Sequence, residues 1–321
     1  LDIAKDCLTR AGEDFRYLDK MEIVSRAFTS SSSDFPVLLE GITRNVLLNQ
    51  YSIAADTWRR WCGIGSVSDF REHKRLRLGS FSKLDKVDEN GEYKTKKITD
   101  AEAESASIDT YGNVINVTRK MIVNDDLAGF TRLAANLGRA AARSIEIDAY
   151  AVLASNPKMG DGKVLFHADH NNLITPGTAM SVEAFEALRL KMAGQKDKDN
   201  NDYLDMRPSV LLCGMAQGGN ARVLNESVYD PTSGSPLQKP NMVRGLFKDI
   251  VDTPRITGTE YYGFADPAQE TVIEVNFLDG NQQPFMESRN GFHSDGVEWK
   301  IRHDYGIDAV GWRGAIKNLG A

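Results

Sequence analysis

Cysteine is scarce in this chain of 321 residues: three are present, Cys7, Cys62 and Cys213, odd in number and far apart. That argues against a disulfide framework and for a reducing compartment. Long apolar runs are missing as well. None approaches the roughly 18–20 residues of a membrane span, and no pattern of positive charge followed by an apolar stretch opens the chain. Positive charge is not in excess: the formal net charge is −6. Affinity for phosphate comes mainly from Lys and Arg, so a general nucleic-acid binder is disfavoured. The hydrophobic fraction of 41% supports a globular protein without an unusually rich core. At this length the chain holds two domains, or one core with long extensions. Asn116-Val117-Thr118 and Asn225-Glu226-Ser227 match the glycosylation pattern, which carries little weight without a secretory route.

Catalytic motifs are equally sparse. Phe166-His167-Ala168-Asp169-His170 puts two His and one Asp within four residues, a donor set that could serve a metal. The spacing is wrong for a zinc enzyme, which needs His at i and i+4 on a helix and a third, distant ligand. The bland alternative is a loop in which His and Asp bond local backbone groups. Gly214-Met215-Ala216-Gln217-Gly218-Gly219 sits between a strand and a helix, where glycines can cradle phosphate. It lacks the Lys-Ser/Thr of a P-loop and the spacing of a dinucleotide fingerprint, and reads better as a plain turn. Cys62 and Cys213 have no His at a recognisable spacing, and Cys213 lies in an apolar run where a thiol is inert. Asp125-Asp126 is explained by helix capping. We therefore expect no catalytic residue, no metal and no cofactor.

What the chain does have is a long charged segment from Phe70 to Met121. Seventeen of the 35 residues from Phe70 to Glu104 are charged, nine basic and eight acidic. Such a stretch cannot make a core of its own. Yet it keeps the β-formers Phe81, Leu84, Val87, Tyr93, Ile98, Ile108, Val114, Ile115 and Val117, more than a linker would. The physical expectation is an extended β-arm completed by another subunit. Its basic cluster, Arg71, Lys74, Arg75 and Arg77, sits among acids of the same arm, which favours inter-subunit ion pairs over DNA contact. Trp58, Arg59 and Trp61 are also candidates for a subunit interface, where Trp and Arg are enriched; equally, that short helix could pack on its own core.

The remaining patterns are those of an α+β protein. Residues 1–33 open with a short helical pattern and close on Ser30-Ser31-Ser32-Ser33. Asp34 can cap a helix from Phe35-Pro36, with Leu38, Leu39, Ile42, Val46 and Leu47 on one side. After Asn124-Asp125-Asp126, a 3.6-residue period from Leu127 to Val152 predicts a helix over 126–155, about 43 Å long. Another helix is expected over 181–194, a buried strand at Val210-Leu211-Leu212-Cys213, and alternating strands at Thr271–Val275 and Val297–Arg302.

Four stretches, in order, carry a resemblance. They are Ser25-Arg26-Ala27-Phe28-Thr29 with Asp34-Phe35-Pro36-Val37-Leu38-Leu39, then Leu165–Leu173, then Met192–Asp197 leading to Arg207–Leu212, and last Arg302–Ile307 with Gly311–Asn318. On these the chain resembles the major capsid proteins of tailed bacteriophages, the Mu-like major head subunit family with the Hong Kong 97-type shell fold. The resemblance implies an N-terminal arm (1–65), an extended hairpin loop (66–120), a peripheral domain (121–180 and 271–303) with the spine helix 126–155, and an axial domain (181–270 and 304–321).

It also implies a structural subunit, not an enzyme, that assembles with itself into pentamers and hexamers of an icosahedral head. The interface candidates are Trp58, Arg59, Trp61, Arg71, Lys74, Arg75, Arg77, Phe81, Tyr93 and Ile98. Implied partners are a head-maturation protease, scaffold, portal and a decoration protein, with double-stranded DNA packaged without sequence-specific binding, and no membrane. A negatively charged wall suits a container that must not adhere to DNA. The implied location is the virion, with the host cytoplasm during assembly. Leu1 is not a residue that normally follows a removed initiator Met, so either proteolytic maturation or a truncated sequence explains it, and maturation of the N-terminus is the expectation. The alternatives are an encapsulin-like nanocompartment shell, a zinc-dependent hydrolase using His167, Asp169 and His170, and an adaptor or tail component.

Overall fold

The computed structural model describes residues 2–14, 17–19, 22–23, 26–27, 35–77, 102–118, 127–198, 202–231, 239–290 and 296–321. In chain order the first elements are α1 (Asp2–Arg10), α2 (Phe35–Ile53), a 3-10 turn at Trp58–Arg60, β1 (Gly63–Val67), β2 (His73–Arg77), β3 (Glu102–Ala106) and β4 (Asp109–Thr118). Then come α3 (Leu127–Ser155), a 3-10 turn at Ala168–His170, β5 (Leu173–Ile174), α4 (Val182–Ala193), β6 (Val210–Gly214) and α5 (Met215–Glu226). Six strands and bridging loops close the chain: β7 (Asp249–Thr253), β8 (Tyr261–Phe264), β9 (Ile273–Leu278), β10 (Phe285–Asn290), β11 (Gly296–Ala309) and β12 (Ala315–Asn318).

Two units share these elements. The first comprises Leu1–Asp56, Asp109–Glu146 and Asn281–Tyr305. Its sheet is antiparallel, with β11 paired to β10 on one side and to β4 on the other, Trp299 opposite both Ser288 and Ile115. Ala4, Cys7 and Leu8 of α1, Leu47 of α2, and Met286, Trp299 and Ile301 of the sheet form its apolar core. The expected apolar side of α2 needs correction. Thr43 and Leu47 are buried, whereas Ile42 is 46% exposed. The inward face is set by Glu40, Thr43 and Leu47, which recur at i, i+3 and i+7; the Glu40 carboxylate accepts a hydrogen bond from Ser288 Oγ at 2.6 Å. The side chains of Leu38 and Leu39 lie outside the described ones.

The long helix α3 matches its expected span within a residue. Ala134, Ile145, Ala149 and Leu153 are buried along one stripe, as a 3.6-residue period requires. The capping residues Asn124, Asp125 and Asp126 lie outside the described residues.

The second unit comprises Thr57–Ile108, Ile147–Gly280 and Gly306–Ala321. Its main sheet has the order β5-β12-β8-β6-β7. All five residues of β6 are buried, as its unbroken apolar run predicts, and each leucine there contributes roughly 1.5–3 kcal/mol through burial. Helix α4 packs Val182, Phe185, Leu188 and Met192 into the core beside β6 and α5. Ser181 caps it by accepting from the Ala184 amide at 3.1 Å, and Gly194 ends it. Apart from this sheet, β1 runs parallel to β9, and β2 pairs antiparallel with β3. Among the described residues no helix is long and apolar enough to cross a membrane.

Candidate assembly site at the root of the long hairpin

Strands β2 and β3 are the two feet of a hairpin. The register pairs His73 with Ala106, Arg75 with Glu104 and Arg77 with Glu102, so opposite charges face one another across the ladder, which favours pairing. Residues 78–101 join the feet and lie outside the described residues, and with them the interface candidates Phe81, Tyr93 and Ile98.

Each foot is tied to the rest of its unit by a side chain. From β2, Arg75 donates its Nε–H to the Glu274 carboxylate at 2.8 Å and a terminal nitrogen to Asn276 Oδ1, both on β9. From β3, the buried Glu104 carboxylate accepts the Gly160 amide, 3.0 and 2.9 Å from its two oxygens. Just past β3, the Ser107 amide donates to Asp308 on β11 at 2.9 Å. Burial holds the Asp308 carboxyl above its usual range, partly offset by that amide. At the start of β2, His73 meets the Asp69 carboxylate at 2.9 Å. Asp69 is held below the usual carboxylate range, first by the Arg71 amide. Charge-assisted bonds of this kind are about twice as strong as neutral ones. The root is therefore fixed on one face, where Glu104 and Ala106 are buried, while the other face is open, with Leu76 62% exposed.

The candidates separate on these contacts. Trp58 and Trp61 are inside the unit's own core, each about 1% exposed. Trp58 packs on Phe277, and Trp61 on Tyr150 and Phe264. Of the two readings open for these rings, a subunit interface or the chain's own core, their burial selects the core, because the 3-10 turn directs both inward. Arg59 lies over the Trp58 ring at 4.5 Å, a cation–π contact. Arg75 is an intrachain anchor, not a free cation of the arm. Arg71 and Lys74 are exposed. Arg77 is in the β2 backbone, with its side chain outside the described ones. Glu104, Gly160, Glu274, Asn276 and Asp308 were missed, since nothing in the local sequence links them to the hairpin.

The chemical candidates resolve into local structure. His167 accepts from the Asp169 amide at 3.1 Å. His170 is buried, 2.8 Å from Asp161 through Nε2 and stacked on Trp312 with ring centroids 4.4 Å apart. Desolvation raises the Asp161 carboxyl, but the His170 hydrogen bond, the Lys163 amide and the charges of His170 and Lys163 together hold it below its usual range. Among the described residues no group of three or more His, Cys, Asp or Glu could hold a metal. Gly214 caps α5 directly, with no loop between β6 and the helix. Cys213 is buried and its thiol is pushed up to about 11 by desolvation.

The profile of one family, described as phage capsid protein, matches residues 101–318, more than half of the chain. The chain belongs to the phage capsid protein family. Solved structures agree at the level of fold. A virus-like particle from Pyrococcus furiosus is 15% identical with TM-score 0.51, over 86% of this chain and 97% of that one. The capsid of cyanophage P-SCSP1u is 12% identical with TM-score 0.52, over 84% and 89%. The procapsid of bacteriophage JBD30 is 12% identical with TM-score 0.50, over 89% and 75%. No curated protein matches. This phage capsid protein thus has the α+β, Hong Kong 97-type fold expected from its sequence, and its role is structural.

Proposed function

We propose that this phage capsid protein is a major head subunit that assembles into pentamers and hexamers of an icosahedral shell enclosing double-stranded DNA. The observation that carries this reading is the hairpin root: both feet are tied down within the subunit, while the segment between them is too charged to build a core of its own. Ordering such an arm costs chain entropy that little burial within the subunit offsets. Contacts with neighbours supply the difference, on interfaces above about 2,000 Å², and repeated heterologous contacts close into rings. In this assembly residues 1–65 act as the N-terminal arm and 66–120 as the extended loop. Residues 121–180 and 271–303 act as the peripheral domain, 181–270 and 304–321 as the axial domain. Exposed Arg71 and Lys74, with Phe81, Tyr93 and Ile98, serve the contact.

The same reading includes N-terminal maturation by a head protease, assembly with scaffold and portal in the host cytoplasm, and a place in the finished virion. A decoration protein would bind the outer surface. Deleting residues 80–100 tests the arm: the variant should stay soluble and folded yet fail to close shells, and normal shells would refute the assignment. A second reading, a nanocompartment shell around an enzyme, draws support from the likeness to the Pyrococcus furiosus virus-like particle. Protein rather than DNA inside purified shells would select it.

A further inference from the structure

Helices α2 and α3 of the first unit border an open groove of about 500 Å³. Val46 and Ala135 give it an apolar floor, and Gln50, Arg132, Asn136 and Arg139 give it a polar rim. The two helices are in close contact beside it: the Leu47 carbonyl occupies the place where a Cβ on Gly138 would stand. Arg139 donates to Asn136 Oδ1 at 2.7 Å and to Gln50 Oε1 at 3.4 Å. Neither Arg132 nor Arg139 has a carboxylate partner among the described residues. Elsewhere arginines are matched within the chain, as Arg75 is with Glu274, Arg189 with Glu186, Arg222 with Asp252 and Arg302 with Asp304. The exposed Arg143, one helical turn beyond Arg139, continues the basic stripe.

Two guanidinium groups with no carboxylate partner among the described residues, over an apolar floor, call for an extended peptide with carboxylates and an apolar side chain. Packed helices have axes about 8–10 Å apart, so the furrow between them takes one strand of chain. A DNA duplex would ride on the helix ridges and leave Val46 and Ala135 uncovered. The chain carries 45 acids against 39 bases, so a neighbouring copy is a ready source of carboxylates. Its segment Leu84-Asp85-Lys86-Val87-Asp88-Glu89-Asn90-Gly91-Glu92 combines Leu84 and Val87 with Asp85, Asp88, Glu89 and Glu92 against Lys86 alone. We propose that the α2–α3 groove receives the Asp85–Glu92 segment of a second copy of this chain, with carboxylates on Arg132 and Arg139 and an apolar side chain on the floor. This rests on the reading that the hairpin reaches a neighbouring subunit, and names where it lands.

Charge exchange tests it. The pair Arg132→Glu/Arg139→Glu and the pair Asp88→Arg/Glu89→Arg should each raise the subunit concentration needed for shell formation by about tenfold or more. All four changes in one chain should bring it back toward wild type. Circular dichroism checks that the subunits are folded, and Arg132→Ala/Arg139→Ala replaces the reversal if that variant does not fold. Groove variants that assemble like wild type would overturn the docking and leave the capsid role standing. So would folded variants whose defects add when combined, or groove variants whose shells form normally but retain less DNA, which would mark a phosphate-facing surface. A wild-type chain that builds no shells under the same conditions would overturn the assembly reading and the docking together.

Discussion

His303 should make the subunit less stable in mild acid, by an amount its surroundings set. It lies on β11, 4% exposed, with ring centroids 5.6 Å from Tyr51 and 5.3 Å from Tyr305. Burial lowers its pKa from 6.5 to about 4, against smaller opposing effects from the Gln282 backbone and from Asp304. Between those two values the unfolded chain takes up a proton that the folded chain does not. Stability therefore rises with pH across that window. The contribution is fully present above the unfolded value, falls by about 1.4 kcal/mol per pH unit on acidification, and is exhausted below the folded value. The total is about 3 kcal/mol, a large share of a net stability of about 5–15 kcal/mol.

The assay is urea unfolding of unassembled subunits by tryptophan fluorescence, from about pH 7 down to about pH 4. His303→Phe is the control, because it keeps a ring of similar size that cannot take a proton. Carboxylates contribute to both proteins alike, so the difference between the two curves isolates His303. That difference should shift by about 3 kcal/mol in favour of the variant on going from neutral to acid. A difference that stays flat would show that the imidazole is not buried as described, and the reasoning would fail.

Two other expectations follow from the hairpin root and the thiols. Arg75→Ala should cost about 1–3 kcal/mol locally, seen as faster amide exchange in 73–77 and 102–106 with β6 unaffected; unchanged exchange would mean that Glu274 and Asn276 do not anchor the foot. Cys7, Cys62 and Cys213 are all buried, so a thiol reagent should label none quickly in native protein and three after denaturation, while rapid native labelling of Cys213 would contradict its packing.

Much of this fold could be read from the chain because its strongest signals are local. The apolar period of α3, Ser181 and Gly194 around α4, and the unbroken apolar run of β6 each depend on neighbouring residues. Strands that depend on distant partners were not legible. β1 carries two glycines in five residues and no strand pattern, yet Gly65 fits there because a Cβ would collide with Glu274 and Asn276 side chains on β9. β8 and β12 are four residues each, too short to show alternation. At the root, composition marked the charged hairpin but could not tell Arg75, paired with a carboxylate 199 positions away, from exposed Arg71 and Lys74. The two tryptophans read equally as interface or core residues, because burial in a chain's own core and burial against a partner leave the same mark on sequence.

The account turns on self-assembly, and negative-stain electron microscopy of the purified protein tests it most directly, with and without the head-maturation protease proposed to act on it. Closed polyhedral particles of uniform size are the predicted result, and their contents then decide between genome and enzyme cargo. Monodisperse monomers or small oligomers under both conditions would contradict it.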